Sequence, residues 1–200
     1  MGRRVTEFWV FITDLGDSAV TLTLAAAVLA WLGLATRARS AFWTWGGGIA
    51  ACGLTMAALK VLFRSCGHGW IDQVASPSGH AAMSAVVYGG LVLLAGRGAG
   101  RVPQALLLLA VLVLVAVIGV SRVELNAHSL SEVLIGLGVG TGVTMLMQRR
   151  LADGPPVAGA GWALGGAVVL AVLLHGVHWH VEDQFQALAA WIRGVAPACR

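Results

Sequence analysis

The sequence predicts an all-α, polytopic membrane protein with six transmembrane helices and an interfacial helix at each end. Three observations carry that prediction. Hydrophobic residues make up 58% of the chain and charged residues 11%, where a soluble domain carries about a quarter charged residues. Uncharged runs of helix-crossing length recur, separated by short connections that contain arginine. Polar, ionisable groups gather in two short stretches between those runs.

Residues 3–16 mix Val5, Phe8, Trp9, Val10, Phe11, Ile12 and Leu15 with acids, the pattern of a helix lying among headgroups. Arg3 and Arg4 are followed by Glu7, Asp14 and Asp17, so no cleavable signal peptide is expected. The first span is expected at about 18–36, an uncharged run that at about 1.5 Å per residue nearly crosses a hydrocarbon core of about 30 Å. The remaining spans are expected at about 41–60, 79–96, 102–120, 129–148 and 157–175. The whole chain, 1–200, reads as a single domain. Its tail carries Phe185, Leu188, Trp191 and Ile192 at helical spacing and is expected to rest on the membrane surface.

A net charge of +4 does not make a nucleic-acid binder, because the arginines fall in pairs between apolar runs rather than on one basic face. Six spans would put Arg37, Arg39, Arg97, Arg101, Arg149 and Arg150 at one face. Arginine in short connections marks the cytoplasmic side, so the two polar stretches would face outward from a bacterial inner or plasma membrane, toward the periplasm. The segment 64–76 is expected as one functional loop and 121–127 as the other.

Pro77-Ser78-Gly79-His80 precedes an apolar helical run. Unpaired N–H groups, the positive end of the helix dipole and a serine hydroxyl there would cradle an anion, with Gly79 allowing close approach; an ordinary N-cap is the plainer reading. In the second stretch His128 and Glu132 stand four apart at a helix start, so the carboxylate can hold one imidazole nitrogen and leave the other directed outward. A histidine so held can serve as nucleophile or base. Arg122 offers a planar fork of donors to phosphoryl oxygens, and His80, from another helix, offers a proton. An anion cradle, an oriented nucleophile and a proton donor are the parts of a phosphoryl-transfer site. The residues named call for no metal and no organic cofactor.

These two stretches resemble the type 2 phosphatidic acid phosphatase superfamily, which also includes vanadium haloperoxidases. Pro77-Ser78-Gly79-His80 is identical to that family's second motif. Ser121-Arg122, His128 and Glu132 are spaced as in its third, with Glu where the family has Asp. The first motif, Lys, six residues, then Arg-Pro, is altered: counting from Lys60 gives Gly67-His68, and Arg64 or His68 would supply the missing cation. The resemblance implies that His128 attacks phosphorus, that His80 protonates the leaving oxygen, and that Glu132 orients His128. Lys60, Arg64, Ser78, the Gly79 N–H and Arg122 would hold the phosphoryl oxygens. The implied substrate is a lipid phosphate or pyrophosphate, such as a polyprenyl pyrophosphate (undecaprenyl pyrophosphate among them), phosphatidylglycerol phosphate or phosphatidic acid. A lipid-linked phosphotransferase and a non-catalytic lipid-binding relative stay open beside the hydrolase, and the oligomeric state is undetermined.

Other features have plainer readings. Gly136, Gly138, Gly140 and Gly142 lack the strand and lysine of a nucleotide loop and suit close helix packing. His175, His178 and His180 read as an interfacial cluster with Trp179 rather than a metal site. Cys52 reads as a small buried hydrophobe. Cys66 and Cys199 would share the outer face, where an oxidising compartment permits a disulfide.

Overall fold

The computed structural model describes residues 2–34, 36, 38–66, 74–97, 101–151, 156–179 and 181–195. Among them every regular element is a helix: α1 (Arg3–Asp14), α2 (Ser18–Leu34), α3 (Arg39–Cys66), α4 (Gly79–Gly96), α5 (Arg101–Glu124), α6 (Leu130–Leu151), α7 (Ala160–Leu173) and α8 (Val181–Val195). Five stretches are long and apolar enough to cross a membrane, and they contain α2, α3, α4, α5 and α6. The all-helical membrane architecture is as expected. The sixth expected span corresponds to α7, whose 14 residues rise only about 21 Å, short of a full crossing.

Helix α4 is the centre of the bundle. It is the most enclosed of the apolar helices, and α3, α5 and α6 pack around it. Its closest neighbour, α6, approaches through glycine. A Cβ on Gly136 would run into the Ser78 carbonyl oxygen, and one on Gly140 into that of Ala82, whereas Gly138 and Gly142 have nothing within 4 Å. Gly136 and Gly140 are four apart and share a helix face, so the two backbones meet without intervening side chains. The expected packing role therefore belongs to two of the four glycines. Cys52 is fully buried beside the same seam, its Sγ 3.8 Å from the Ala82 carbonyl.

Two boundaries differ from the expected ones. Helix α3 runs on to Cys66 rather than stopping at Lys60, so Lys60 and Arg64 lie one turn apart on one helix. Ser121 and Arg122 belong to the last turn of α5, and the connecting loop is 125–129. Both extensions have the same cause: a long cationic side chain lets the helix continue while its charge reaches the polar end, and a cation in the last turn meets the negative end of the dipole.

The chain ends fold over the site end of this bundle. The turn between α1 and α2 is pinned by the Tyr88 hydroxyl, which donates to the Leu15 carbonyl at 2.6 Å. Helix α8 packs along α3, with Ala189 buried and the Arg193 guanidinium donating to the Arg64 carbonyl at 2.6 Å. Leu188 and Trp191 are exposed on its outer side. The tail is thus amphipathic as expected, but it also turns a polar face into the bundle.

Candidate active site

The loop from α5 to α6 is shaped by backbone geometry. Asn126 has φ 52, in the left-handed region that asparagine tolerates better than most residues. The Asn126 N–H donates to Val123 O at 2.9 Å and the Ala127 N–H to Arg122 O at 3.0 Å, which is the Schellman pattern of a helix terminus. His128 N–H also donates to Arg122 O, at 3.1 Å. The chain doubles back so tightly that His128 sits beside Arg122, six residues earlier.

Helix α6 then begins with a capping box. Ser129 Oγ accepts from the Glu132 N–H at 3.3 Å, and Glu132 Oε2 accepts from the Ser129 N–H at 3.1 Å, two orphan donors satisfied reciprocally. Glu132 does more than cap. Its Oε2 lies 2.8 Å from His128 Nδ1, and its Oε1 accepts from the backbone N–H groups of Ala75 and Ser76 at 2.8 and 2.6 Å. One buried carboxylate therefore holds the histidine and the segment leading into Pro77-Ser78-Gly79-His80. The Ser78 N–H completes the join by donating to the Glu132 carbonyl at 3.0 Å.

Ser78 is the N-cap of α4, its hydroxyl accepting from the Ala81 N–H at 3.5 Å. It is fully buried and, like Glu132, lies outside the lining of the cleft. Lys60, Arg64, Gly79, His80, Arg122 and His128 all line one cleft of ≈ 410 Å³, together with Glu182 and, toward the bundle, Leu22, Met56 and Met83. Helices α3, α4 and α5 and the loop 125–129 thus deliver expected residues to one place. His68 lies outside the described residues, as do His180 and Cys199. Arg64 supplies a guanidinium one turn from Lys60.

The cations are partly satisfied by groups the sequence did not single out. Lys60 Nζ is 2.6 Å from Glu182 Oε2 and 3.3 Å from Ser76 Oγ, and Arg64 pairs with the other Glu182 oxygen. Arg122 Nη1 donates to Thr13 Oγ1 at 2.9 Å. The Nε atoms of Arg64 and Arg122 are buried with no hydrogen-bond partner among the described residues, which leaves donor capacity for an anion. His80 Nε2 stands 3.7 Å from Asp17 Oδ2, and Asp17 in turn accepts from the Ala19 N–H at 2.8 Å and the Trp179 N–H at 3.2 Å. Two histidines of the tail stand beside one acid: His178 Nε2 is 2.9 Å from Asp14 Oδ1 and His175 Nδ1 is 3.7 Å from Asp14 Oδ2, while His175 Nε2 is 3.0 Å from the Phe11 carbonyl. Among the described residues no group of His, Cys, Asp and Glu is arranged to hold a metal.

Sequence reading missed Glu182, Asp17 and Thr13. Acids in the first turn of α8 are what any helix start favours, so nothing local distinguished Glu182 from a cap.

The electrostatics follow from burial. Burial pushes the His128 pKa below its ordinary value, and the Arg122 charge adds to this, while the Glu132 hydrogen bond opposes it. His128 is thus biased toward the neutral imidazole. Burial alone would raise the Glu182 carboxyl, but the Lys60 charge and hydrogen bond and the Arg64 charge outweigh it and hold the pKa below the usual range. The Asp14 hydrogen bond raises that of His178.

Comparison with known proteins meets this geometry. An uncharacterized 22.5 kDa protein in the cps region of Klebsiella pneumoniae is 33% identical over 174 residues, covering 84% of this chain and 82% of that protein. No solved structure matches the chain. The PAP2 superfamily model matches residues 41–154, the stretch that carries Lys60, Pro77-Ser78-Gly79-His80, the segment from Ser121 to Glu132 and the glycine seam between α4 and α6, and the chain accordingly belongs to the PAP2 superfamily.

Proposed function

We propose that this protein is a membrane lipid phosphatase that removes the terminal phosphoryl group of a lipid phosphate or pyrophosphate through a phosphohistidine. One observation carries the reading. A single cleft runs from His128, His80 and three cations to the apolar side chains of Leu22, Met56 and Met83, a polar head joined to a path for a hydrocarbon chain.

In this reading each atom takes one role. Glu132 accepts from three backbone N–H groups, so its carboxylate is an acceptor toward His128, and the imidazole proton sits on Nδ1. The Nε2 lone pair is then free to attack phosphorus. A P–N bond forms as the bond to the leaving oxygen breaks, and His80 donates a proton to that oxygen. Water, deprotonated by His80, next attacks phosphorus, releasing inorganic phosphate and regenerating His128. Lys60, Arg64, Arg122 and the N-terminus of α4 at Gly79 stabilise the charge on the phosphoryl oxygens throughout. The lipid chain enters laterally between helices. Arginine in the opposite connections supports a cleft that faces outward.

The test is phosphate release by the detergent-solubilised protein from a panel of lipid phosphates and pyrophosphates, in chelator, with His128→Ala beside it. Release that survives chelation and falls by about a thousandfold or more in the variant is expected. Equal release by the variant would overturn the histidine mechanism, and a shortfall matched by product on a lipid or sugar acceptor would make the protein a transferase. No turnover of any substrate by folded protein would leave a lipid-binding relative.

A further inference from the structure

The carboxylate of Glu182 lies where an anionic ligand belongs. It contacts Lys60 and Arg64, its Oε1 is 3.4 Å from Ser76 Oγ, and a Cβ built on Gly79 would fall 3.9 Å from the same Lys60 Nζ. An ammonium, a guanidinium and a hydroxyl beside a helix N-terminus are the donor set of a phosphoryl site. Here they are engaged by a side chain of the chain's own C-terminal helix. We propose that Glu182 is a selectivity residue, an internal anion that a doubly charged phosphoryl end displaces and a singly charged phosphodiester does not. This rests on reading the cleft as a phosphoryl site.

The geometry suits displacement better than permanent strapping. The Glu182 side chain is 38% exposed while Lys60 beneath it is 5% exposed, so the carboxylate can rotate outward without uncovering a core. Helix α8 has separate anchors in Ala189 and in the Arg193 bond to Arg64 O, and the helix can stay docked when the carboxylate leaves.

Charge then decides which ligands succeed. A phosphomonoester carries close to two negative charges near neutral pH, whereas a phosphodiester carries one. A diester would exchange one charge for an equal one, against a competitor tethered at high effective concentration. A monoester or the terminal phosphate of a pyrophosphate brings additional charge and gains Arg122 as well. In a bilayer built mainly of phosphodiesters, this keeps the bulk lipid from occupying the site.

The experiment measures ligand binding to the full chain in uncharged detergent, by calorimetry and by shift of the thermal midpoint. Three probes are used: inorganic phosphate, phosphatidic acid and phosphatidylglycerol. Wild-type protein is expected to bind the first two and not the third. Binding of phosphatidic acid without inorganic phosphate would identify the lipid headgroup as the source of the anion; binding of both would identify the phosphoryl end itself. Glu182→Gln should bind phosphate about tenfold or more tightly and acquire phosphatidylglycerol binding, and Glu182→Asp should restore the discrimination. Should Glu182→Gln fail to fold, hydrogen exchange in the wild type reads the same event, since saturating phosphate should speed exchange in the first turn of α8. Unchanged phosphate affinity and continued exclusion of the diester in Glu182→Gln, or unchanged exchange, would overturn the proposal. The charge-dependent pattern in a protein with no turnover would sustain the proposal and sink only the phosphatase reading.

Discussion

Two parts of the cleft are built by different means. The inner frame, residues 74–80 with 122–136, is held by backbone: a Schellman turn, a capping box, a carboxylate on three peptide N–H groups and glycines that let α6 touch α4. The outer cover, α1 and α8 with the turn 174–179, is held by side chains from distant parts of the chain, Glu182 on Lys60 and His178 on Asp14. A backbone frame sets positions to a fraction of an ångström and resists change. A cover tied by partly exposed ion pairs contributes less to stability and is free to respond to charge.

The sharpest way to break the frame is Glu132→Gln. The Gln oxygen can still accept from Ala75 and Ser76, but its NH₂ then faces His128 Nδ1 and forces the proton onto Nε2, the atom proposed to attack. Phosphate release should fall by two to four orders of magnitude, on the order of the loss when an orienting carboxylate is removed, with secondary structure retained by circular dichroism. Glu132→Asp should be milder, since it keeps the acceptor and shortens its reach.

A pair of identical substitutions separates packing from propensity. Gly136→Ala pushes a methyl into the Ser78 carbonyl and should cost roughly 3 kcal/mol, lowering the thermal midpoint. Gly138→Ala faces open space and should be neutral or stabilising by up to about 1 kcal/mol. Equal effects would refute the close α4–α6 contact. At Asn126, glycine should be tolerated, while valine in a left-handed conformation should cost about 1–2 kcal/mol and lower activity along with stability.

Two pH profiles distinguish frame from cover. The His128 pKa is depressed from its ordinary value of 6.5; a depressed folded value keeps the proposed nucleophile neutral, so the acid limb of kcat/KM should fall below that value. His178 is the opposite case. Its folded pKa is raised above 6.5, so the Asp14 pairing stabilises fully below that pH and is lost as pH rises through the folded value. His178→Gln should therefore lower the thermal midpoint more at about pH 5.5 than at about pH 8.5, by a small amount because the ring is half exposed.

The same division explains what could be read from the chain. The start of α4 at Gly79, the Ser78 cap, the His128–Glu132 pairing and the glycine packing all depend on residues within a turn or two of one another, where spacing implies contact. The helical extension of α3 through Arg64 and of α5 through Arg122 was obscured because a cation near the end of an apolar run reads as a boundary, although its flexible stem permits the helix to go on. Glu182 was invisible for a different reason. It pairs with residues 122 and 118 positions away, and no periodicity or local motif links an acid in a terminal amphipathic helix to a lysine and an arginine in the last turns of another helix. Asp17 and Thr13 are legible only once the α1–α2 turn is placed against α4.

The doubling-back at Asn126 has a mechanical meaning. Helices in a bilayer tilt as its thickness changes, and a site assembled from helix ends would drift with them. His128 is bonded through its own peptide N–H to the carbonyl of Arg122, so the proposed attacking residue and the guanidinium residue share one knuckle of backbone and move as a unit. Deformation of the surrounding lipid is then absorbed at the cover, leaving the spacing of His128 and Arg122 insulated from the thickness of the membrane.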